Sequence, residues 1–243
     1  MSPRDIAQRT TASGVRWLLV SLGLAVVANL VSDVPFYFGT VFPGLNALSD
    51  TALYQHNLPL LSLVGPALIA GIGFAGILRI ERGRGWTRET RRERARPAFL
   101  IAAAAAAFLF LSGIVLGLVL IPIQNVWNPV RMTVRFIVVF AVGVYLLDTA
   151  ARIDPGSRMG LARAALVLGA TAGAVKMLIA IYNGFFPANF PPDFVSSQVE
   201  PLLAPGAFLL ALFSLCAWIA VYDRILGRLA RARAGGWPQP RAA

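Results

Sequence analysis

The sequence contains six apolar runs of about 20 residues, at positions 15–33, 58–80, 98–121, 130–147, 161–182 and 207–222. A helix rises 1.5 Å per residue, so each run can cross the roughly 30 Å hydrocarbon core of a bilayer. In that solvent every backbone N–H and C=O must be paired internally, which restricts a spanning chain to helices or closed barrels. Runs of this length are about twice those of barrel strands. The expected fold class is therefore all-α: a polytopic membrane helix bundle with six transmembrane helices, forming a single domain over 1–243.

Composition agrees. Charged residues are 14% of the chain and hydrophobic residues 57%, with a mean hydropathy of +0.69, where a soluble domain carries about 25% charged residues. The net charge of +11 sits in short segments between apolar runs. That pattern points to orientation in a membrane rather than to nucleic acid, and no nucleic-acid partner is expected. Of the 22 basic residues, only Lys176 is a lysine, a bias that fits a GC-rich prokaryotic genome.

Arginine position sets the expected orientation. The N-terminus, the 81–97 segment, the 148–160 segment with Arg163, and the C-terminal tail, with Arg16 and Arg79 at span ends, hold 19 arginines. The three opposite loops hold none, apart from Arg131 and Arg135 at the start of the fourth span. With an even number of spans, the positive-inside rule puts both termini in the cytoplasm, so the chain reads as a multi-pass plasma-membrane protein, N-in/C-in. The first apolar run lacks a small-residue cleavage site and reads as a retained span. Asn128-Pro129 reads as the start of the fourth helix.

Several chemistries are excluded. Cys216 is the only cysteine and His56 the only histidine. An intramolecular disulfide, a CxxC pair, bis-His haem and a His-rich zinc site are impossible. No Gly-rich segment opens a cytoplasmic helix with the Lys or Ser/Thr of a phosphate loop, and Gly113-x-x-x-Gly117 reads as helix packing. No cofactor or metal is implied, and no catalytic motif is present.

Ionisable residues inside spans are costly and mark candidate sites. Lys176 lies in the fifth run on a helical face made of Ala162, Ala165, Gly169, Ala172, Gly173, Ala180 and Asn183. Small residues let helices approach closely, so Lys176 is expected to point into the bundle rather than snorkel to headgroups. A retinal Schiff base needs a seventh helix that this chain does not have. Arg131 and Arg135 share a face at i,i+4, as do Asn29 and Asp33 on the first span. Asp50, His56, Asp193 and Glu200 fall in or beside the two long outer loops. Together Lys176, Arg131, Arg135, Asp33, Asn29, Asp50, His56 and Glu200 outline an outward-facing polar pocket.

The segment FPGLNALSDTAL at 42–53, followed by QHN and a glycine-rich second span, resembles the start of the DRAM/FRAG/SFK-like superfamily of six-span membrane proteins. There a Leu/Ile-Ser-Asp segment precedes span 2, matched by Leu48, Ser49 and Asp50. The glycine-rich third span, the short turn after it, Glu200 before the last span and Tyr222-Asp223-Arg224 at its close are similar in layout. The resemblance implies a membrane protein of lipid homeostasis or sensing with no established reaction in its prokaryotic branch. The family often carries a His at the start of the fourth span, where this chain has Arg131 and Arg135.

The reading that follows is a non-enzymatic membrane protein that binds, or helps to move, a lipid or small amphiphile through the outer pocket, with membrane lipids as partners. Two alternatives keep a place. One is the membrane subunit of a permease-type transporter, with a cytoplasmic protein docking on the 81–97 segment. The other is an outer-leaflet lipid-modifying enzyme using Asp50 and His56 as an acid/base pair.

Overall fold

The computed structural model describes residues 3–38, 58–84, 100, 101, 103, 104, 107, 124–153, 159–185 and 200–235. Five helices carry nearly all of them: α1 (Pro3–Phe38), α2 (Leu58–Arg84), α3 (Gln124–Ile153), α4 (Met159–Phe185) and α5 (Glu200–Gly235). Among the described residues, four helical segments are long and apolar enough to cross a membrane. They are Ile6–Val31, Pro129–Ile153, Met159–Asn183 and Leu202–Arg231. The all-helical, multi-pass class rests on these four. The expected second span is a helix, α2, but is not among them, and most of the expected third span, 98–121, lies outside the described residues.

The helices exceed the apolar runs that announce them. The polar stretch before the first apolar run is helical from Pro3. The Thr10 and Thr11 hydroxyls donate back to the Ile6 and Ala7 carbonyls, which keeps these short polar side chains compatible with the helix. The fourth helix starts at Gln124 rather than at the Asn128-Pro129 cap, with Pro129 inside it, and it continues through the expected polar loop to Ile153. There Arg152 pairs with Asp148 at i,i+4, 2.7 Å apart, a geometry that only a continuing helix supplies. The basic tail is likewise helical to Gly235. Trp218, Val221, Tyr222, Ile225 and Leu229 keep a 3.6-residue buried stripe beneath the arginines, so the tail has a packing face as well as a charged one.

The neighbours run in the order α2–α1–α5–α4–α3, with a lighter contact between α3 and α5. Side-chain contacts fix the directions. Ser21 Oγ donates to the Ile69 carbonyl at 2.7 Å, and Gly76 meets Gly14 and Gly83 meets Thr11 further along, so α2 runs antiparallel to α1. Gln8 Nε2 donates to the Leu229 carbonyl at 3.0 Å, tying the start of α1 to the end of α5. Ser214 Oγ donates to the Ala165 carbonyl at 2.7 Å, and Tyr222 Oη to the Leu146 carbonyl at 2.8 Å. The N-termini of α1 and α4 and the C-termini of α2, α3 and α5 therefore lie at one end, the basic end, and the other termini at the far end. Arg131 and Arg135 of α3 are the exceptions to its arginine bias.

Apolar lipid gives helices little hydrophobic reason to associate, so close backbone approach and interhelical hydrogen bonds do that work. The α1–α2 crossing shows both. A methyl group on Gly76 would sit 2.8 Å from the Gly14 carbonyl oxygen, and one on Gly14 would sit 2.6 Å from that of Gly76. At Gly73 a methyl would meet Ser21 Oγ at 2.8 Å. The α3–α4 pair repeats the device, with Gly143 against Leu166 and Gly173 against Phe136.

The largest fully buried side chains are Tyr145, Tyr222, Phe208, Ile80, Leu146, Ile225, Val15 and Thr149. All but Phe208 lie in the basic-end half. Val15, Tyr145, Leu146, Thr149, Tyr222 and Ile225 lie within the helical segments long and apolar enough to cross a membrane. Large apolar side chains face outward in both halves, as at Ile6, Val20, Val27, Val31, Val167, Leu178 and Phe213.

Candidate functional site

The far end is where the sequence placed a pocket, and burial there is uneven. In α1 the described buried residues run from Thr11 to Leu22 and stop, and in α2 they begin only at Gly73. In α4 and α5 burial reaches Ala180 and Ala204. A methyl added to Gly23, Gly65 or Gly71 would meet nothing within 4 Å. Among the described residues, burial on α4 and α5 reaches further toward the far end than on α1 and α2.

Lys176 occupies the predicted face of α4. Ala162 and Ala165 are 0% exposed, Ala172 2% and Ala180 4%, so the small-residue stripe is the packing face. Lys176 is half-buried on it. Helix α3 lies alongside, with Leu166 on Gly143, Val139 by Gly169 and Phe136 on Gly173. Each step up α4 is a step back along α3, so Lys176 falls level with Thr133, between Arg131 and Arg135. Arg135 is half-buried and Arg131 exposed. Three basic residues on two adjoining helices therefore share one level near the far end.

The contacts of Ser214 with Ala165 and Gly169 put Lys176 near the level of Pro205 on α5. Asn29 and Asp33 lie in the far half of α1. Glu200 is the first residue of α5, at the far end. The Asn29 amide donates to the Ala25 carbonyl at 2.7 Å, so that donor is used within its own helix. Asp50, His56 and Asp193 lie outside the described residues, and the 81–97 segment is described only to Arg84. Among the described residues no group of three or more His, Cys, Asp or Glu could hold a metal ion.

Sequence reasoning missed the polar ring at the basic end. Tyr145 Oη donates to the Glu81 carboxylate, joining α3 to α2. The Tyr222–Leu146, Gln8–Leu229 and α1–α2 contacts complete a circuit around the core. Glu81 opens an arginine-rich segment and reads as one charge among many. The two residues are 64 apart in sequence, and no local signal pairs them. Arg79 lies over the Trp17 ring, 4.5 Å from its centroid, a cation–π pair on the half-exposed flank of α1.

Compared with family models, with curated proteins and with solved structures, the chain finds no match in any of the three.

Proposed function

We propose that the chain is a six-span plasma-membrane protein of a prokaryote, with both termini in the cytoplasm, that binds or helps to move a lipid or small amphiphile through an outward-facing polar pocket. It performs no covalent chemistry in this reading. The span number has support in connectivity. Helix α2 finishes at the basic end with Arg84, and α3 starts at the far end with Gln124. The intervening chain must return across the bundle, and the apolar run 98–121 is the part of it suited to hydrocarbon. The arginine asymmetry supports a cytoplasmic basic end. The layout is the one implied by the likeness to the DRAM/FRAG/SFK-like superfamily, in which we place the chain as part of this proposal.

The observation that carries the functional reading is the contrast in burial. Among the described residues, burial stops at Leu22 in α1 and begins at Gly73 in α2, short of the end where Arg131, Arg135 and Lys176 share a level. A helix bundle closed on one side and polar on the other suits a ligand with an apolar body and a polar head.

Native mass spectrometry of the protein in mild detergent tests this. The expected result is a bound amphiphile of defined mass that survives delipidation and is released when the protein is denatured. Protein that is folded, monodisperse and free of any such adduct across a series of added lipids overturns the proposal.

A further inference from the structure

The geometry points to a lipid site at the basic end: the outer groove between α1 and α2 holds an anionic phospholipid, its phosphate on Arg79 and Arg82 and its acyl chain along Trp17, Leu24 and Leu68. This site lies at the opposite end of the bundle from the pocket proposed above and does not depend on it.

The register of the two helices places these residues. Gly83 meets Thr11, Gly76 meets Gly14 and Leu18, and Gly73 meets Ser21. Arg79 is therefore level with Val15, close to Trp17, and its guanidinium carbon lies 4.5 Å from the centre of the Trp17 ring. That contact fixes which flank of α2 carries Arg79. Arg82 follows three residues later and Leu68 precedes it by eleven, spacings that return to the same face of a helix. On α1, Val20 and Leu24 share a face with Trp17. Trp17, Val20, Leu24, Leu68 and Arg82 are all exposed.

The depths match those of a phospholipid. Arg79 closes the apolar run 58–80, and Trp17 lies at the start of the run 15–33. The pair thus marks a boundary between polar and apolar surface, the level that tryptophan favours in a bilayer. Arg82 lies on the polar side of this boundary, and Val20, Leu24 and Leu68 lie on the apolar side. The groove offers positive charge at headgroup depth and apolar surface at acyl depth. A guanidinium presents a planar fork that matches two oxygens of a phosphate. The Trp17 ring holds the Arg79 guanidinium through its π face and supplies no lone pair in its plane, so the contact positions the fork without giving its donors an oxygen acceptor. Glu81, the only acid of α2, accepts from Tyr145 of α3 instead. A phosphate is the acceptor that completes this arrangement.

The test uses full-length protein in mild detergent with equimolar phosphatidylglycerol and phosphatidylcholine, read by native mass spectrometry. The expected result is retention of phosphatidylglycerol over phosphatidylcholine, with an apparent Kd at least about tenfold tighter. Arg79→Gln/Arg82→Gln loses that preference. Arg163→Gln/Arg231→Gln removes the same charge from exposed arginines of α4 and α5 at the same end, and keeps the preference. Trp17→Leu keeps the groove apolar but releases the guanidinium, and weakens phosphatidylglycerol binding about two- to fivefold. Size-exclusion elution at the wild-type volume shows that each variant is folded. Trp17→Leu, a change at an exposed position, decides the matter if the glutamine variant of the groove does not fold. Equal retention of both lipids by the wild-type protein overturns the inference. So does an unchanged preference in the groove variants, or an equal loss in the Arg163/Arg231 control, which would assign the preference to overall charge.

Discussion

Tyr145 on α3 donates its hydroxyl hydrogen bond to the carboxylate of Glu81 on α2, two helices that do not otherwise pack along their lengths. Helices α1 and α2 are held together by glycines, and so are α3 and α4, with α5 between the two pairs. The bond closes the circuit at the basic end, where Tyr145 is 2% exposed. Removing the hydroxyl leaves a half-buried carboxylate short of a donor. Tyr145→Phe should therefore lower stability by about 1–3 kcal/mol. Thermal unfolding in detergent checks this. Spin labels on the basic-end turns of α2 and α3 should also report a broader distance distribution in the variant. An unchanged midpoint and distribution would remove the bond from the account.

The glycines of α2 separate into two classes, and substitution should separate them too. A side chain at Gly76 collides with backbone of α1, and neither backbone can move aside cheaply. Gly76→Leu should abolish the folded, monodisperse species. A methyl at Gly65 or Gly71 meets nothing within 4 Å. Gly71→Ala should instead be neutral or stabilising by up to about 1 kcal/mol, because alanine loses less backbone entropy in a helix. Size-exclusion profiles and melting temperatures measured side by side test the contrast.

The tail of α5 is predicted to be structural. Ile225 is 1% exposed and Leu229 7%, beyond the last apolar run visible in the sequence. Ile225→Ala should cost about 2–5 kcal/mol, while Arg231→Gln on the exposed face should stay within about 0.5 kcal/mol. If both variants melt together with the wild type, the tail serves orientation alone.

The interhelical serine is a gentler probe. Ser214 Oγ is buried against the Ala165 carbonyl, and hydrogen bonds between membrane helices average about 0.6 kcal/mol. Ser214→Ala should thus produce a small shift. Gly169→Leu, which drives a side chain onto Ser214, should be severe. Reversal of that order in denaturant titrations would contradict the packing of α4 on α5.

The helical class was legible because apolar runs of bilayer length have few other solutions, and the face of α4 was legible because small residues recur at helical spacing up to Lys176. Helix ends were harder to read. Arg224 and Arg228 dilute the hydropathy that finds spans, yet Ile225 and Leu229 continue the buried stripe between them. At the other terminus Gln8 and Thr11 look polar in sequence but spend their polarity on the Leu229 and Ala7 carbonyls. Of the expected pocket residues, the structure places Arg131, Arg135 and Lys176 at one level and Asn29 and Asp33 in the far half of α1. The Glu81–Tyr145 bond was invisible because it joins residues 64 apart in sequence, and nothing local announces such a pair.

The central claim is a bundle closed at a cytoplasmic basic end and open to the outside at the far end. Cys216, the only cysteine, is exposed, so Cys216→Ser supplies a clean background for single cysteines. Intact cells carrying Arg131→Cys, Lys176→Cys, Arg9→Cys or Arg231→Cys in that background are treated with a membrane-impermeant maleimide, before and after permeabilisation. The account predicts labelling at 131 and 176 in intact cells, and at 9 and 231 only after permeabilisation. Labelling of 176 from the cytoplasmic side alone, or of 9 and 131 from the same side, would contradict it.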